Sequence, residues 1–293
     1  MTKVLILGAT GMLGTAVLRE FEDFKGEVAV TSRGKKVEHL PSSVSQLNFD
    51  AAKDDPAIAF ASLGHVDYVV NCIGIIKPYI SDSDEKQRLN ALQINSLFPQ
   101  KLAEWASSTG AKVIQIATDC VFSGFKGSYL ETDAHDALDV YGKSKSLGEV
   151  PNPSMMHLRV SIIGPEVGRS TSLLEWVRNQ PEDAEIFGFT DHVWNGVTTA
   201  HFGKLARGII ESNLFKPGVF HVVPGNRLPK DKLVQKIASV FGRDDIKIQP
   251  KASGNTVDRT LETTSPEFNA AMWDSAGYKT PPTIEQMLEE IKP

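Results

Sequence analysis

The chain has 293 residues, of which 41% are hydrophobic and 23% charged, and its formal net charge is −5. These values fit a globular protein with one large domain or a domain and an added lobe, and give no electrostatic reason to expect nucleic acid or an anionic membrane as a partner. No apolar run approaches the roughly 18 residues of a membrane span, and the N-terminus opens on a strand rather than a signal peptide. The two cysteines, Cys72 and Cys120, favour a reducing, cytoplasmic setting, and the scattered histidines predict no metal site.

Short apolar runs alternate with helical patterns over residues 1–165. Strands that are apolar throughout indicate a parallel sheet covered by helices on both faces. The expected fold is therefore a doubly wound α/β sheet of the Rossmann type. The predicted strands span residues 3–7, 27–33, 43–50, 65–74, 111–119 and 155–164, and the main helices span residues 12–24 and about 84–108.

After about residue 165, the alternation of apolar runs and helical patterns becomes less regular. We predict a Rossmann domain at residues 1–165, to which residues of roughly 192–223 return, and a smaller, interleaved lobe built from residues 166–191 and 224–293. In this part, helices are predicted at 170–180, 201–212, 229–241 and 283–292, with one strand at 218–223.

Three glycines, Gly8, Gly11 and Gly14, form a G-x-x-G-x-x-G turn between the first strand and the first helix. They permit a tight turn, close approach of the backbone to a pyrophosphate and close packing of helix on strand, while N–H groups at the helix start bind phosphate oxygens. The alternative is a glycine-rich turn without a ligand. The predicted cofactor contacts at this turn are Gly8, Thr10, Gly11, Met12, Leu13 and Gly14.

The end of the second strand selects between NAD and NADP. An acidic residue there would bind the ribose hydroxyls of NAD, whereas the sequence Thr31-Ser32-Arg33 contains no acid. We therefore expect NADP(H) rather than NAD(H), with Arg33 and Ser32 as contacts; the alternative is a basic surface loop. Asp50, at the end of the third strand, is placed to accept a hydrogen bond from the adenine amino group.

Tyr141 and Lys145 are four residues apart in a helical pattern, which puts both side chains on one face. The pKa of tyrosine is normally about 10, and an adjacent ammonium group lowers it by stabilising the phenolate. Such a pair can exchange a proton with a substrate. Its position after Thr118, at the end of the fifth strand, favours this interpretation over a surface pair formed by chance.

With these motifs the chain resembles the extended short-chain dehydrogenase/reductases, and within them the dTDP-4-dehydrorhamnose reductase group of nucleotide-sugar enzymes. The resemblance is strong over about the first 165 residues and weaker from 188 to 210. It implies NADP(H)-dependent reduction of a 4-keto sugar nucleotide, in the setting of polysaccharide biosynthesis. The segments that carry it are GATGMLG (8–14), VVNCIG (69–74), ATDCVFSG (117–124), YGKSK (141–145) and LRVSIIGP (158–165).

The resemblance also implies roles for individual residues. Tyr141 would donate a proton to the reduced carbonyl, Lys145 would lower the pKa of Tyr141 and hold the nicotinamide ribose, and Thr118 would hydrogen bond the carbonyl oxygen. The nicotinamide side would be lined by Asn71, Ile73 and Gly74. Asn95 would relay protons or pack its helix, and Arg159 and Ser161 would lie near the cofactor or substrate.

On the substrate side, Arg259 would contact the sugar nucleotide, and Lys77 or Arg169 would meet its phosphates. Trp194 would stack on the sugar or base, or else pack in the core. Relatives often dimerise through the helices that correspond to residues 84–108 and 141–149, so a homodimer is implied as well.

Asp119 and Cys120 follow Thr118, and this departs from the related patterns. Similar dehydratases have an Asp-Glu pair here, so the missing glutamate argues against dehydration. Enzymes resembling GDP-fucose synthase carry a cysteine at this spacing, which acts as acid or base in epimerisation with a histidine; His192 is the candidate partner. We expect Asp119 and Cys120 to contact substrate, with Cys120 either packing as a small buried residue or catalysing epimerisation.

A third alternative comes from another class of protein. Some members of the superfamily keep the fold but lose the tyrosine or lysine, and act as regulatory or binding subunits. Because Thr118, Tyr141 and Lys145 are all present, an enzyme is the favoured reading of this sequence.

Overall fold

The computed structural model describes residues 1–37, 40–41, 43–166 and 171–292. Within these ranges, no helix is long and apolar enough to cross a membrane. The strands are β1 (Lys3–Leu7), β2 (Glu27–Ser32), β3 (Ser45–Asn48), β4 (Tyr68–Asn71), β5 (Lys112–Ala117), β6 (Met155–Arg159), β7 (Ile162–Ile163), β8 (Glu185–Phe189), β9 (His192–Trp194), β10 (Val197–Thr198), β11 (Gly218–His221), β12 (Leu228–Pro229), β13 (Lys247–Lys251) and β14 (Val257–Asp258). The α-helices are α1 (Met12–Glu20), α2 (Pro56–Ala59), α3 (Glu85–Leu92), α4 (Phe98–Thr109), α5 (Val140–Leu147), α6 (Leu173–Arg178), α7 (Thr199–Glu211), α8 (Lys230–Val240), α9 (Pro266–Ser275) and α10 (Ile284–Glu290).

Seven parallel strands form the central sheet in the order β11-β6-β5-β4-β1-β2-β3. The chain moves outward from β1 to β3 and then crosses back to β4 on the other side of β1. Ligands of such sheets bind beyond the carboxyl ends of the strands, where this order reverses. The sheet confirms the predicted Rossmann-type fold and places the glycine-rich turn, which follows β1, at the reversal.

Both faces of the sheet are covered, because its strands contribute side chains to two hydrophobic clusters, one on each face. In β1, Val4 and Ile6 pack into one cluster and Leu5 and Leu7 into the other, and all four are fully buried. Helices α1 and α7 contribute to the first cluster and α4 to the second. This burial on both sides explains the unbroken apolar runs in the sequence.

The helix predicted over about 84–108 is interrupted. A π-helical turn, Gln93–Leu97, joins α3 to α4 and carries the buried Asn95. The Asn95 side chain accepts a hydrogen bond from Ile75 N at 2.9 Å and donates one to Ser144 Oγ at 3.1 Å. These contacts support the packing role of Asn95, since they tie the turn after β4 to α5.

One prediction about the later elements was wrong, and some of these elements were not predicted. The strand predicted at 155–164 divides, because β6 ends at Arg159 and β7 leaves the central sheet to pair with β10. The sequence analysis also missed α9 and the β8–β13 pair. Three of the five β8 residues and four of the five β13 residues are exposed, so neither strand shows a continuous apolar run.

Short strands bring distant parts of the C-terminal half together. Strand β12 pairs with one side of β9, and β14 pairs with the other. Lys230 follows β12 directly, and Arg259 follows β14 directly. Asp258 N donates a hydrogen bond to the carbonyl of Gly124 at 2.8 Å, which joins β14 to the loop that follows β5.

Candidate active site

The glycine-rich turn joins β1 to α1. Gly8 has a φ of +79°, which favours glycine, and its N–H donates to Thr31 Oγ1 at 3.0 Å. A Cβ on Gly14 would lie 2.1 Å from the Gly8 carbonyl oxygen, so a side chain would push the helix off the strand. Gly11 precedes Met12, the first helical residue, and has no side chain to cap the helical N–H groups. The uncovered backbone and free N–H groups fit the phosphates of a dinucleotide.

The other residues predicted at this turn differ in exposure. Thr10 is exposed and Met12 is partly buried, whereas the Leu13 side chain packs in the core. Leu13 can therefore reach a cofactor only through its backbone.

The residues predicted for the adenosine end lie after β2 and β3. The Ser32 hydroxyl is buried, donates to the Lys35 carbonyl and accepts from Gln46 Nε2 at 2.6 Å, so it shapes the loop. Arg33 is exposed, and Asp50 is partly buried in the turn after β3. Arg33 is thus open to a phosphate, as are Lys35 and Lys36 in the same loop.

The turn after β4 packs against the glycine-rich turn. Asn71 is fully buried; its Oδ1 accepts from Ile73 N at 3.0 Å, and its Nδ2 donates at 2.7 Å to a β5 side chain. A Cβ on Gly8 would lie 2.9 Å from Ile73 Cγ1, and one on Gly74 would lie 3.9 Å from Lys145 Nζ. Asn71 therefore holds the turn, and Ile73 and Gly74 lie between the glycine-rich turn and α5.

Thr118 lies directly after β5 and organises a small polar cluster. Its Oγ1 accepts from Cys120 N and donates to Asp119 Oδ1, both at 3.2 Å. The Tyr141 side chain lies near Thr118, whose hydroxyl lowers the pKa of the phenol. Burial raises the pKa of Asp119, and the positive charge of Arg259 opposes this rise. The structure thus brings together the residues that the sequence placed around a carbonyl.

Tyr141 lies in the first turn of α5, which Asp139 caps. One Asp139 oxygen accepts from Gly142 N at 2.8 Å, and the other accepts from Lys77 Nζ at 2.6 Å. Burial raises the pKa of Tyr141 above its usual range, and the hydroxyl of Thr118 opposes the rise. The phenol is therefore protonated at neutral pH, as a proton donor must be.

Lys145 lies one turn further along α5 and is buried. Its Nζ donates to the carbonyl of Ile116 at 3.0 Å. Burial lowers the pKa of Lys145 to about 8, and the charge of Glu149 opposes this. Burial of the phenol is the largest influence on the Tyr141 pKa, and the Lys145 ammonium group is hydrogen bonded to the Ile116 carbonyl. The lowering of the Tyr141 pKa by Lys145 stays a prediction.

Two cations reach the Thr118 turn from the C-terminal half. Arg259 Nε donates to the Phe122 carbonyl at 2.8 Å, and the charges of Arg259 and Lys230 both lower the pKa of Asp119. Burial lowers the pKa of Lys230, and Arg259 lowers it further. No hydrogen bond or ion pair holds Lys230 Nζ within the described residues. The sequence analysis missed Lys230, whose one signal is a Pro-Lys step at a helix start.

Several predicted residues lie away from this cluster. Trp194 is buried in the core and its indole N–H donates to Ser161 Oγ at 2.9 Å, as the core alternative requires. Arg159 is 1% exposed and bonded to Glu149, so its side chain is not open to a ligand. Arg169 lies outside the described residues. No group of acidic, histidine or cysteine side chains within the described ranges is arranged to hold a metal ion.

Cys120 and its candidate partner His192 share no hydrogen bond within the described residues. Burial and the charge of Asp119 raise the pKa of Cys120 to about 12. His192 Nε2 lies 3.0 Å from both Ser253 Oγ and the Asn255 carbonyl. A thiol with such a pKa exchanges protons poorly at neutral pH, which favours the packing alternative for Cys120.

The fold and this site define a dinucleotide-dependent carbonyl-reducing class of protein, and comparison with known families agrees. The family model described as the RmlD substrate binding domain matches residues 1–292, so the chain belongs to this family. The resemblance to dTDP-4-dehydrorhamnose reductases is confirmed. The expected enzyme class, NAD(P)-dependent oxidoreductases of nucleotide sugars, is confirmed at the level of the family.

The sequence relatives include both subunits and reductases by name. The methionine adenosyltransferase 2 subunit beta of Bos taurus is 28% identical over 263 residues, which cover 85% of this chain and 75% of the relative. The dTDP-4-dehydrorhamnose reductase of Aggregatibacter actinomycetemcomitans is 28% identical over 234 residues, which cover 75% of this chain and 73% of the relative.

Solved structures share the fold. The dTDP-4-dehydrorhamnose reductase of Bacillus anthracis, in complex with NADP, has a TM-score of 0.74 at 20% identity and covers 99% of both chains. The Bordetella bronchiseptica enzyme WbmG, in complex with NAD, has a TM-score of 0.74 at 17% identity and covers 99% of this chain and 92% of its own. At these identities the likeness establishes the fold alone.

Proposed function

We propose that this chain is an NADPH-dependent reductase of a 4-keto nucleotide sugar. The observation that carries the proposal is the cluster of Thr118, Tyr141 and Lys145 at the carboxyl end of β5. A protonated tyrosine beside a strand-end hydroxyl is suited to receive a carbonyl oxygen. The turn after β4 lies between this cluster and the glycine-rich turn, where a dinucleotide would bind.

Each residue of the cluster has its own role in carbonyl reduction. A bound nicotinamide supplies the hydride to the keto carbon. Thr118 and Tyr141 hold the carbonyl oxygen, and Tyr141 transfers its proton to that oxygen as negative charge develops there. Lys145 holds the ribose, and its ammonium group stabilises the phenolate that remains on Tyr141.

NADPH is proposed over NADH because of the loop after β2. Of its exposed cations, Arg33 follows β2 directly and would meet a 2′-phosphate, and the loop sequence has no acid for ribose hydroxyls. Solved relatives with this fold hold NADP in one case and NAD in another, so fold alone does not select the cofactor.

The substrate is proposed to be anionic because two cations converge beside the carbonyl site. Arg259 donates one N–H to the Phe122 carbonyl, and Lys230 has no hydrogen bond or ion pair among the described side chains. Asp119 supplies one negative charge at most against these two positive charges. A diphosphate would balance them.

The test is oxidation of NADPH in the presence of 4-keto sugars linked to dTDP, UDP, GDP or CDP. We expect one of them to be reduced and Tyr141→Phe to lower kcat by about 10²–10⁴-fold while NADPH still binds. Tyr68→Phe, a matched change in β4, should keep full activity. Unchanged turnover in Tyr141→Phe would refute the mechanism, and NADPH binding without turnover of any of the four would refute the substrate class.

A bifunctional epimerase/reductase that uses Cys120 is the alternative raised by the spacing of Thr118 and Cys120. The raised pKa of Cys120 and the hydrogen bonds of His192 argue against it. Turnover in deuterated water separates the two, because epimerisation places solvent deuterium on the carbons beside the ketone and simple reduction does not.

A regulatory subunit is the second candidate, favoured by the relatives named methionine adenosyltransferase 2 subunit beta. Such a role needs the fold and a binding surface but no proton donor. Addition of the chain to a methionine adenosyltransferase, with the rate as readout, tests it. A rate change that Tyr141→Phe preserves, in a chain that reduces none of the sugars, would favour the subunit.

A homodimer is proposed through α3 and α5. Leu89, Leu92 and Leu147 are 58%, 37% and 60% exposed and line a cavity of about 370 Å³ between these helices. Apolar surface of this kind is buried when two copies meet. Leu89→Glu with Leu147→Glu should convert a dimer to a monomer in sedimentation, whereas Phe187→Glu on β8 should not. A wild-type monomer would overturn this proposal.

We also infer that different parts of the chain bind the cofactor and the substrate. Residues 1–165, with roughly 192–223, would bind the cofactor, and residues 166–191 and 224–293 would bind the substrate. The free thiols of Cys72 and Cys120 suit a cytoplasmic, reducing setting. Limited proteolysis with and without NADPH tests the division, since cofactor should protect the first set of residues and leave cleavage in the second unchanged.

A further inference from the structure

A buried ion pair lies behind the catalytic helix. Arg159, at the end of β6, donates to both oxygens of Glu149, from Nε at 3.1 Å and from a terminal nitrogen at 2.6 Å. The two side chains are 1% and 6% exposed. Glu149 lies two residues after α5 and four residues after Lys145. The pair therefore fixes the end of the helix that carries Lys145.

Two histidines complete the surroundings of Arg159. Its terminal nitrogens lie 2.7 Å from His221 Nε2 and 2.8 Å from His135 Nε2. A guanidinium only donates, so both of these ring nitrogens accept, and both rings are neutral. The other ring nitrogens lie 2.5 Å from the Glu262 carbonyl and 2.6 Å from Ser146 Oγ. Burial lowers the pKa of both histidines, in agreement with neutral rings.

The same guanidinium also contacts the substrate side. Arg159 Cζ lies 5.0 Å from the centre of the Phe122 ring, which stacks on Tyr129 at 4.2 Å. The Phe122 carbonyl accepts the hydrogen bond from Arg259. One buried guanidinium thus touches the end of α5, the loop after β5 and, through His221, the C-terminal segment.

We propose that Glu149, held by Arg159, is a positioning residue for Lys145: the pair anchors the end of α5, four residues after Lys145. This inference rests on the proposed function for its catalytic meaning, but its physical content does not require a substrate. A guanidinium with two N–H groups on one carboxylate holds that carboxylate in a single orientation.

Glu149 differs in charge from the other groups described around Lys145. From β5 the Ile116 carbonyl accepts a hydrogen bond from Nζ. On β6, burial lowers the pKa of His157, so its ring is neutral. On its own helix, the protonated Tyr141 is uncharged. Among the described residues around Lys145, Glu149 is the anion whose charge acts on its ammonium group. Without that charge, the ammonium form would be less stable.

The experiment compares Glu149→Gln with Glu175→Gln. Glu175 is the matched control because it is 6% exposed and pairs with Arg178 at 2.9 Å on α6, outside the site. Lysines are labelled by reductive ¹³C-methylation and titrated by NMR, with Lys145→Arg to assign the signal. We expect Glu149→Gln to lower the titration midpoint of Lys145 by about one pH unit, since an opposite charge about one helical turn away is removed. Glu175→Gln should leave the midpoint unchanged.

Turnover supplies the second readout. The alkaline limb of the kcat profile should move to lower pH by the same amount in Glu149→Gln and stay in place in Glu175→Gln. Should Glu149→Gln fail to fold, Arg159→Lys keeps the positive charge but loses the paired geometry, and we expect a smaller shift in the same direction.

An unchanged Lys145 midpoint in a folded Glu149→Gln or Arg159→Lys protein would overturn the inference, as would an equal shift in Glu175→Gln. The NMR titration needs no substrate. A chain that shows the expected midpoint shift but reduces no nucleotide sugar would therefore contradict the proposed function and still support the role of Glu149.

Discussion

The cofactor half and the substrate half of the candidate site are built in different ways. The cofactor half is a continuous segment, residues 8–14, whose backbone forms the binding surface. The substrate half joins the Thr118 turn to Lys230 and Arg259, and the bond between Arg259 and Phe122 spans 137 residues of sequence. A backbone site can be recognised from a short motif, whereas a site made of converging side chains exists only once the chain has folded.

The two halves also differ in what holds them. The glycine-rich turn depends on close backbone packing, because a Cβ on Gly14 has no room beside Gly8. The substrate half depends on charge, with Asp119 between two partly desolvated cations. Substitutions should therefore damage the first half through sterics and the second through electrostatics.

The largest effect should come from Gly14→Ala. The added Cβ would meet the Gly8 carbonyl at 2.1 Å and force α1 away from β1, which we expect to cost about 1–3 kcal/mol of stability and to weaken NADPH binding by about 100-fold. Fluorescence titration with NADPH and urea unfolding measure both. Gly11→Ala, whose Cβ would have 3.4 Å of clearance, should keep stability. Equal loss of stability in both variants would contradict the steric explanation.

Acid should weaken the C-terminal half through its buried histidines. Burial lowers the pKa of His201 and of His221 to about 4 each, below the usual value of about 6.5 for histidine. The unfolded chain then binds more protons between these values, so the free energy of unfolding should rise with pH from about 4 to 6.5, by up to about 2.7 kcal/mol per pH unit, and then level off.

Chemical denaturation across this pH range measures the slope. His201→Gln should reduce the slope, because one of the histidines whose pKa burial lowers is lost. Substitution of the exposed His65 should leave the slope unchanged. A slope that survives both His201→Gln and His221→Gln would assign the acid sensitivity to other groups.

Removal of Arg259 or Lys230 should weaken the binding of substrate and leave the binding of cofactor unchanged. We expect Arg259→Ala to raise KM for the nucleotide sugar by about 30-fold and Lys230→Ala by about 10-fold, with the Kd of NADPH unchanged in both. Steady-state kinetics and NADPH titration measure these. Arg243→Ala, which removes an arginine paired with Asp245 outside the site, is the control. A matching loss of NADPH affinity would show that the two halves are not separate.

The smallest effect should come from the adenosine end. Arg33→Ala should weaken NADPH by about 10-fold and leave NADH unchanged, because an exposed cation loses one phosphate contact. Lys36→Ala, a nearby exposed cation, is the control. Equal affinity of Arg33→Ala and wild type for NADPH would remove Arg33 from the cofactor site.

The sequence by itself determined the central sheet and the parts of the site that lie at its strand ends. Buried parallel strands leave unbroken apolar runs, and a backbone phosphate site leaves glycines, so both can be recognised locally. The Thr118 turn and the Tyr141–Lys145 spacing were predicted for the same reason, since each lies within one element or at its end.

Only the tertiary structure decided which charges meet and how they are tuned. The π-helical turn at Asn95 differs from an α-helix by one residue, which hydrophobic spacing does not resolve. Lys230 gains its position from the β12–β9–β14 pairing, and the Tyr141 pKa rises because burial and the nearby negative charges of Asp119 and Asp139 both disfavour the phenolate. Desolvation and long-range pairing depend on what surrounds a side chain, and that is fixed by the fold rather than by neighbours in sequence.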